Sequence, residues 1–306
     1  MTGLQLTALL RRLGPWQGGG AAAVWPRGRG SAGGAAAGTS NGAADGAAGG
    51  AAEIRRRTLA ATGSVAAAEE TTQAWTALAA DAQAAVLDLA GTMASAARQT
   101  DATTCGSAVL TVLAATGDPS LALWLVTGRL GSVRPPELVG APPGALALLA
   151  IAPAERRFGA VQRVLKRRST ATALFGLPWP AALGTPPWGA ARVARFPGVT
   201  FHHQPVDDTD RIHLMRVLDA VEQALAAGVP VPLYSGGDSS GGWATATPRH
   251  VVLAVGRGPG GLRVFEPGHG RLHTVSRRAL AAGDTPQPGL GGWPHLAWVL
   301  LPYPAR

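Results

Sequence analysis

Whatever thiol chemistry this chain performs rests on one atom. Cys105 is the only cysteine in 306 residues, which excludes an internal disulfide framework and any multi-cysteine metal site. It stands in the stretch Gln99-Thr-Asp-Ala-Thr-Thr-Cys-Gly-Ser-Ala-Val-Leu-Thr-Val-Leu113. Beyond it, Ala108, Val109, Val112 and Leu113 recur at helical spacing. Before it, Thr103 and Thr104 are good N-cap residues. The pattern predicts that Cys105 opens a helix running into the core, where the positive end of the helix dipole favours a thiolate. Gln99, in a polar approach loop, is placed to reach back and donate a hydrogen bond beside the sulfur. The plainer alternative is a small buried cysteine heading a core helix.

A second signal lies far downstream. Pro248-Arg-His-Val-Val-Leu-Ala-Val-Gly256 and Leu262-Arg-Val-Phe-Glu-Pro267 flank a glycine-rich turn, which reads as a β-hairpin. With Gly258 at the turn centre, Val252 faces Val264 and His250 faces Glu266, about 5 Å apart at Cβ. A carboxylate beside an imidazole fixes its tautomer and stabilises its protonated form.

Gln-x5-Cys-Gly before a helix, followed by His-Val-Val-Leu and a carboxylate sixteen residues on, resembles the papain-like cysteine peptidases. The nearest branch is the bacterial one with the double-glycine peptidase domains of bacteriocin exporters. The resemblance spans about residues 95 to 303. It implies an α+β fold in which a helical half bearing the nucleophile packs on a twisted antiparallel β-sheet. It implies Cys105 as nucleophile, His250 as general base, Glu266 as orienting acid and Gln99 as oxyanion donor. The branch usually has Asp before the cysteine and Asp or Asn as third member; this chain has Thr104 and Glu266. The implied activity is hydrolysis of a peptide or amide bond in a peptide or protein substrate, without metal or cofactor. Acyl transfer by the same site, or an inactive papain-like adaptor in a secretion or assembly system, are the rival readings. Gly106, Trp179, Trp188 and Trp243 are the candidate substrate-binding residues.

Charge argues against a nucleic-acid partner. Of the net charge of +9, five units fall in residues 1–57, where seven arginines oppose only Asp45 and Glu53. The remaining 249 residues carry only +4, whereas a nucleic-acid binder concentrates Lys and Arg on a face of the folded part. The longest apolar run, Ala141 to Pro153, is too short and too proline-broken to span a membrane. Arg11-Arg12 is not followed by an apolar region, so no signal peptide is recognised. The expected compartment is the cytoplasm, with export by a specialised route as the alternative.

Taken in order, the chain divides into three. Residues 1–57 read as a low-complexity arm, disordered or a flexible linker after a short amphipathic start at Leu4, Leu6, Leu9 and Leu10. Gly49-Gly50-Ala51 in that arm is a candidate self-processing site. Residues 58–98 are an Ala-rich helical segment anchored by Trp75, Leu78, Val86, Leu87 and Leu89. Residues 99–306 are the peptidase-like domain. Within it, Asp118-Pro119 starts a second short helix. Ala145 to Ile151 suggests another. Glu155 to Arg168 predicts a basic amphipathic helix with Phe158, Val161, Val164 and Leu165 inward. Its cations, Arg156, Arg157, Arg163, Lys166, Arg167 and Arg168, form a solvated face or a partner surface. The N-terminal arm is the other candidate contact. Val199 to Val206 reads as a strand whose His202 and His203 point to opposite faces and serve as surface or edge residues. Asp210 to Ala227 is an amphipathic helix with Ile212, Leu214, Met215, Leu218, Val221 and Leu225 inward. Strands are expected at Val229 to Tyr234, Leu272 to Val275 and Trp293 to Leu301, with a helix capped by Ser276. The Gly/Ser loop from Ser235 to Thr247 leads to His250 and is a candidate lid.

Overall fold

The computed structural model describes residues 41–237 and 249–305. They form an α+β structure with eleven α-helices and one open, six-stranded antiparallel sheet among the described residues. Four helices precede the cysteine: α1 (Asn41–Thr62), α2 (Val65–Thr76), α3 (Ala80–Leu87) and α4 (Leu89–Thr92). Ser64 caps α2 by accepting from Ala67 N at 3.2 Å, and Asp88 caps α4 by accepting from Gly91 N at 3.1 Å. The expectation of a disordered or flexible arm is corrected for residues 41–57 alone, since residues 1–40 lie outside the described residues. Residues 41–57 are helical, and α1 runs across the expected boundary because Ile54 and Trp75 bury together in the core. Gly49-Gly50-Ala51 therefore lies inside a helix, where an extended substrate segment is not presented. The amphipathic start at Leu4 to Leu10 lies outside the described residues.

Helix α5 (Cys105–Gly117) begins at the cysteine, and Asp118 turns the chain into α6 (Pro119–Thr127). Asp118 accepts from Ser120 N at 3.0 Å, with Pro119 at the first helical position, as the sequence predicts. A single apolar stripe on α5 is too little: residues 105–115 are all buried, as in a helix enclosed on every side. Its polar members are absorbed locally. Ser107 Oγ donates to Thr104 O at 3.0 Å and Thr111 Oγ1 to Ser107 O at 2.8 Å, which leaves no buried hydroxyl unpaired on that helix. No single helix among the described residues is long and apolar enough to cross a membrane; α5 and α6 reach that composition only as a pair bent by 115°.

Two helices follow, α7 (Pro143–Ala150) and α8 (Ala154–Thr170), then the short α9 (Pro187–Val193). On α8, Phe158, Val161 and Leu165 are buried as expected. Arg157, assigned to the solvated face, is not there. It is 4% exposed, its Nε donating to Leu125 O at 2.8 Å and its Nη2 to Val126 O at 2.8 Å, while Nη1 reaches Ala152 O. Leu125 and Val126 lie in the last turn of α6, whose carbonyls a helix leaves without internal partners, and Ala152 lies just past the end of α7. The guanidinium's planar set of donors satisfies several at once.

The strands are β1 (Val199–Pro205), β2 (Val231–Gly236), β3 (His250–Gly258), β4 (Gly261–Glu266), β5 (Arg271–Val275) and β6 (His295–Pro304), in the spatial order β1-β6-β2-β3-β4-β5. Between them come α10 (Arg211–Ala226) and α11 (Arg277–Ala282), the latter capped by Ser276. Alternation divides the sheet's side chains between two cores. Val251, Leu253, Phe265, Trp298 and Leu300 join α5 and the other N-terminal helices. Val252, Ala254, Val264, Val299 and Leu301 join α10. The sheet is thus covered by helices on both faces, not on one. Ile212 is 67% exposed, so the apolar stripe of α10 starts at Leu214. β1 is an edge strand, as read for His202 and His203.

Candidate active site

Two elements bring the Cys105 side together. The loop before Cys105 is a set of local turns: Asp101 Oδ1 accepts from Thr103 N at 2.7 Å and Thr103 Oγ1 at 2.6 Å. Thr104 occupies the N-cap position of α5, but its side chain does not cap; Oγ1 accepts from Asp101 N at 2.9 Å instead. The hydroxyl expected to cap the helix therefore stiffens the approach to it. Helix α8 holds the same loop from outside. Gln162, fully buried, accepts from Thr100 N at 3.2 Å and donates through Nε2 to Arg98 O at 2.9 Å, while Lys166 reaches Thr103 Oγ1. Gln99 bridges to the other half: its N–H donates to Pro267 O at 2.9 Å, next to Glu266. Its carboxamide Nε2 donates to Asp101 O at 3.0 Å, using one of its two hydrogens.

The imidazole and the acid come from one end of the sheet. His250 is the first residue of β3 and Glu266 the last of β4. The expected register is corrected by two residues. The turn is Pro259-Gly260 between paired Gly258 and Gly261, and Val264 lies opposite Ala254, not Val252. A bulge between Ala254 and Gly256 absorbs one residue. That restores the parity, so His250 and Glu266 still project to the same face as diagonal rather than direct neighbours. His250 Nε2 lies 2.6 Å from Glu266 Oε1. Glu266, 0% exposed, also accepts from Gly268 N at 2.6 Å, His269 N at 2.8 Å and His269 Nδ1 at 2.8 Å. Burial pushes this carboxyl up, but those four donors prevail and hold it down at about 2. Gly291, at φ +69°, closes the far side of the imidazole: a Cβ there would overlap the His250 ring.

His250 joins the two halves. It interacts with Cys105 as well as with Glu266, which takes its Nε2. Burial pushes the imidazole down; the interactions with Cys105 and Glu266 outweigh it and raise it from 6.5 to about 9. Cys105 itself is 5% exposed and lies in the core on the face of the sheet covered by the N-terminal helices. Around it, Thr185 packs on Gly106 so closely that a Cβ there would stand 2.6 Å from Thr185 Cβ. Tyr234 OH donates to Thr185 O at 3.2 Å, and burial together with the Cys105 charge drives the phenol well above its usual range. Trp188 and Trp179 meet edge to face at 5.3 Å, and Trp188 lies 6.5 Å from Trp298, the strand partner of Tyr234. Trp179, Trp188 and Gly106 therefore belong to one contiguous wall. His203 stacks within it, 5.9 Å from Trp298, and so is more than an edge residue. Trp243 and most of the loop before His250 lie outside the described residues.

Sequence reading missed Gln162, Thr185, Tyr234, His269 and Gly291. Of these, only His269 carried a local signal, its place three residues after Glu266. The others reach the site through tertiary packing and have no spacing to betray them. Among the described residues, no group of three or more His, Cys, Asp or Glu side chains is placed to hold a metal ion. Comparison with protein-family models, curated proteins and solved structures found no match for this chain. Its function is therefore argued from the site alone.

Proposed function

We propose that this chain hydrolyses peptide or amide bonds through Cys105, in the manner of the papain-like cysteine peptidases it resembles. The sulfur attacks the substrate carbonyl carbon while its proton resides on His250. The carbonyl oxygen becomes an oxyanion facing the N–H of Cys105, in the first turn of α5 where no intrahelical partner exists. The second hydrogen of Gln99 Nε2 is the other candidate donor. The C–N bond then breaks, His250 gives its proton to the leaving amine, and a thioester remains. A water, losing its proton to His250, attacks that thioester and returns the thiol. Glu266 holds the ring throughout and balances its positive charge.

One observation carries this reading: a single imidazole that interacts with the only thiol in the protein and is hydrogen-bonded to a fully buried carboxylate. Perturbed groups of this kind cluster at functional sites. The test is covalent labelling with an epoxide inhibitor of cysteine peptidases, located by peptide mass spectrometry. The expected result is labelling at Cys105 that slows at least about tenfold in His250→Ala. Equal rates in the two proteins, or no label in wild type, overturn the proposal.

A further inference from the structure

Glu266 does more than meet His250, and the manner in which it is held assigns a role to a residue outside the triad. A glutamate carries three side-chain torsions, so one hydrogen bond to an imidazole leaves its carboxylate free to turn. Here neither oxygen is left to a single partner. Oε1 takes His250 Nε2 and Gly268 N; Oε2 takes His269 N and His269 Nδ1. Three of these four donors come from the turn immediately after β4. His269 supplies two of them, one from its backbone and one from its ring. That turn is itself fastened to the nucleophile's approach loop, since Arg98 Nε donates to Gly268 O at 2.7 Å and Gln99 N to Pro267 O at 2.9 Å. The ring of His269 has no packing duty that explains its placement: its side chain is 74% exposed, yet its Nδ1 points inward to a buried oxygen.

We infer that His269 is a positioning residue for the site, its Nδ1–H locking Glu266 Oε2 so that Oε1 stays aligned with His250. This rests on the hydrolase reading for its purpose but not for its measurement. His269 touches neither the sulfur nor a substrate, and it acts through the carboxylate alone. Its Nδ1 is bonded to Cγ, as is the side-chain nitrogen of asparagine, so an asparagine at 269 can present an N–H at the same place. Alanine cannot.

The experiment compares wild type, His269→Ala and His269→Asn in two ways. Nuclear magnetic resonance follows the His250 ring as a function of pH, and iodoacetamide alkylation reports the reactivity of Cys105. Thermal melts establish that all three are folded, as the exposure of the ring favours. In His269→Ala the His250 midpoint is expected to fall from about 9 by about one unit, a tenfold loss in the protonation equilibrium, and alkylation above pH 7 to slow several-fold. In His269→Asn both are expected to remain near wild type. A wild-type titration in His269→Ala, or equal losses in the two variants, overturns the inference. If wild-type Cys105 resists the epoxide while the His250 titration still responds to His269→Ala, it is the hydrolase reading that has failed and the positioning role that stands.

Discussion

Two of the histidine–carboxylate pairs among the described residues join a mostly enclosed ring to a buried acid. His250 meets Glu266 at 2.6 Å, and His295 Nδ1 meets Asp208 at 2.7 Å. Their surroundings differ. His295 opens β6 and Asp208 lies between β1 and α10, with Gly283, the C-cap of α11, against the ring. That pair ties a connection to the sheet. His250 also interacts with the one thiol of the chain, and its acid is surrounded by further donors. A histidine beside a carboxylate is therefore a common way to fasten a fold. On the proposed reading it becomes chemistry where a reactive thiol is brought to the ring as well.

This comparison sets the order of effects. The largest belongs to Cys105→Ala, which leaves the His250–Glu266 pair in place but removes what distinguishes it. Cleavage of a fluorogenic peptide library is expected to fall by about a thousandfold or more, with the circular dichroism spectrum unchanged. Glu266→Gln comes next. Glutamine can still accept from His250 but carries no charge to balance the imidazolium. A loss of roughly 10- to 1000-fold in kcat is expected, smaller than that of Cys105→Ala in the same assay. A larger loss would place the acid's role beyond orientation.

The effect of pH follows from the directions of the two shifts. His250 is raised above its ordinary 6.5, so the stability it contributes is complete below about 6.5 and is lost as pH climbs through about 9. Glu266 is depressed below its ordinary 4.5, so its contribution is complete above about 4.5 and is lost as pH falls through about 2. Urea unfolding of wild type and His250→Gln is expected to differ most between those two limits and to converge at high pH. Activity should show an alkaline limb near 9 for the same reason. The smallest catalytic effect is expected from the other pair. His295→Ala should leave peptide cleavage within about twofold, while urea unfolding reports a loss of about 1–3 kcal/mol as Asp208 loses its partner. Should His295→Ala silence cleavage without loss of stability, the distinction between the two pairs breaks.

Much of this site was legible because its signals are local. Cys105 opens a helix because an apolar periodicity begins there, and His250 and Glu266 belong to one hairpin because two β-rich runs flank a glycine-rich turn. The pairing register was displaced, since a bulge is invisible in a pattern of alternating residues. Its parity survived because turn and bulge offset each other. The sheet's second helical cover was missed because α10 was read as a helix without its place in the fold. Arg157 was misassigned for a related reason. Helical spacing tells which face a side chain leaves from, but not that the ends of two neighbouring helices wait there for its donors. Gln162, held by three backbone groups from the approach loop, belongs to the same class.

Gly291 gives the arrangement an unusual sensitivity. It belongs to no catalytic set, yet the space a single methyl needs is already filled by the imidazole of His250. Gly291→Ala would keep the thiol, the ring and the acid in the chain while forcing the ring out of line between the other two. The inventory of functional groups would be complete and their alignment gone, which makes this bare backbone position a gauge of how far composition alone can stand in for geometry.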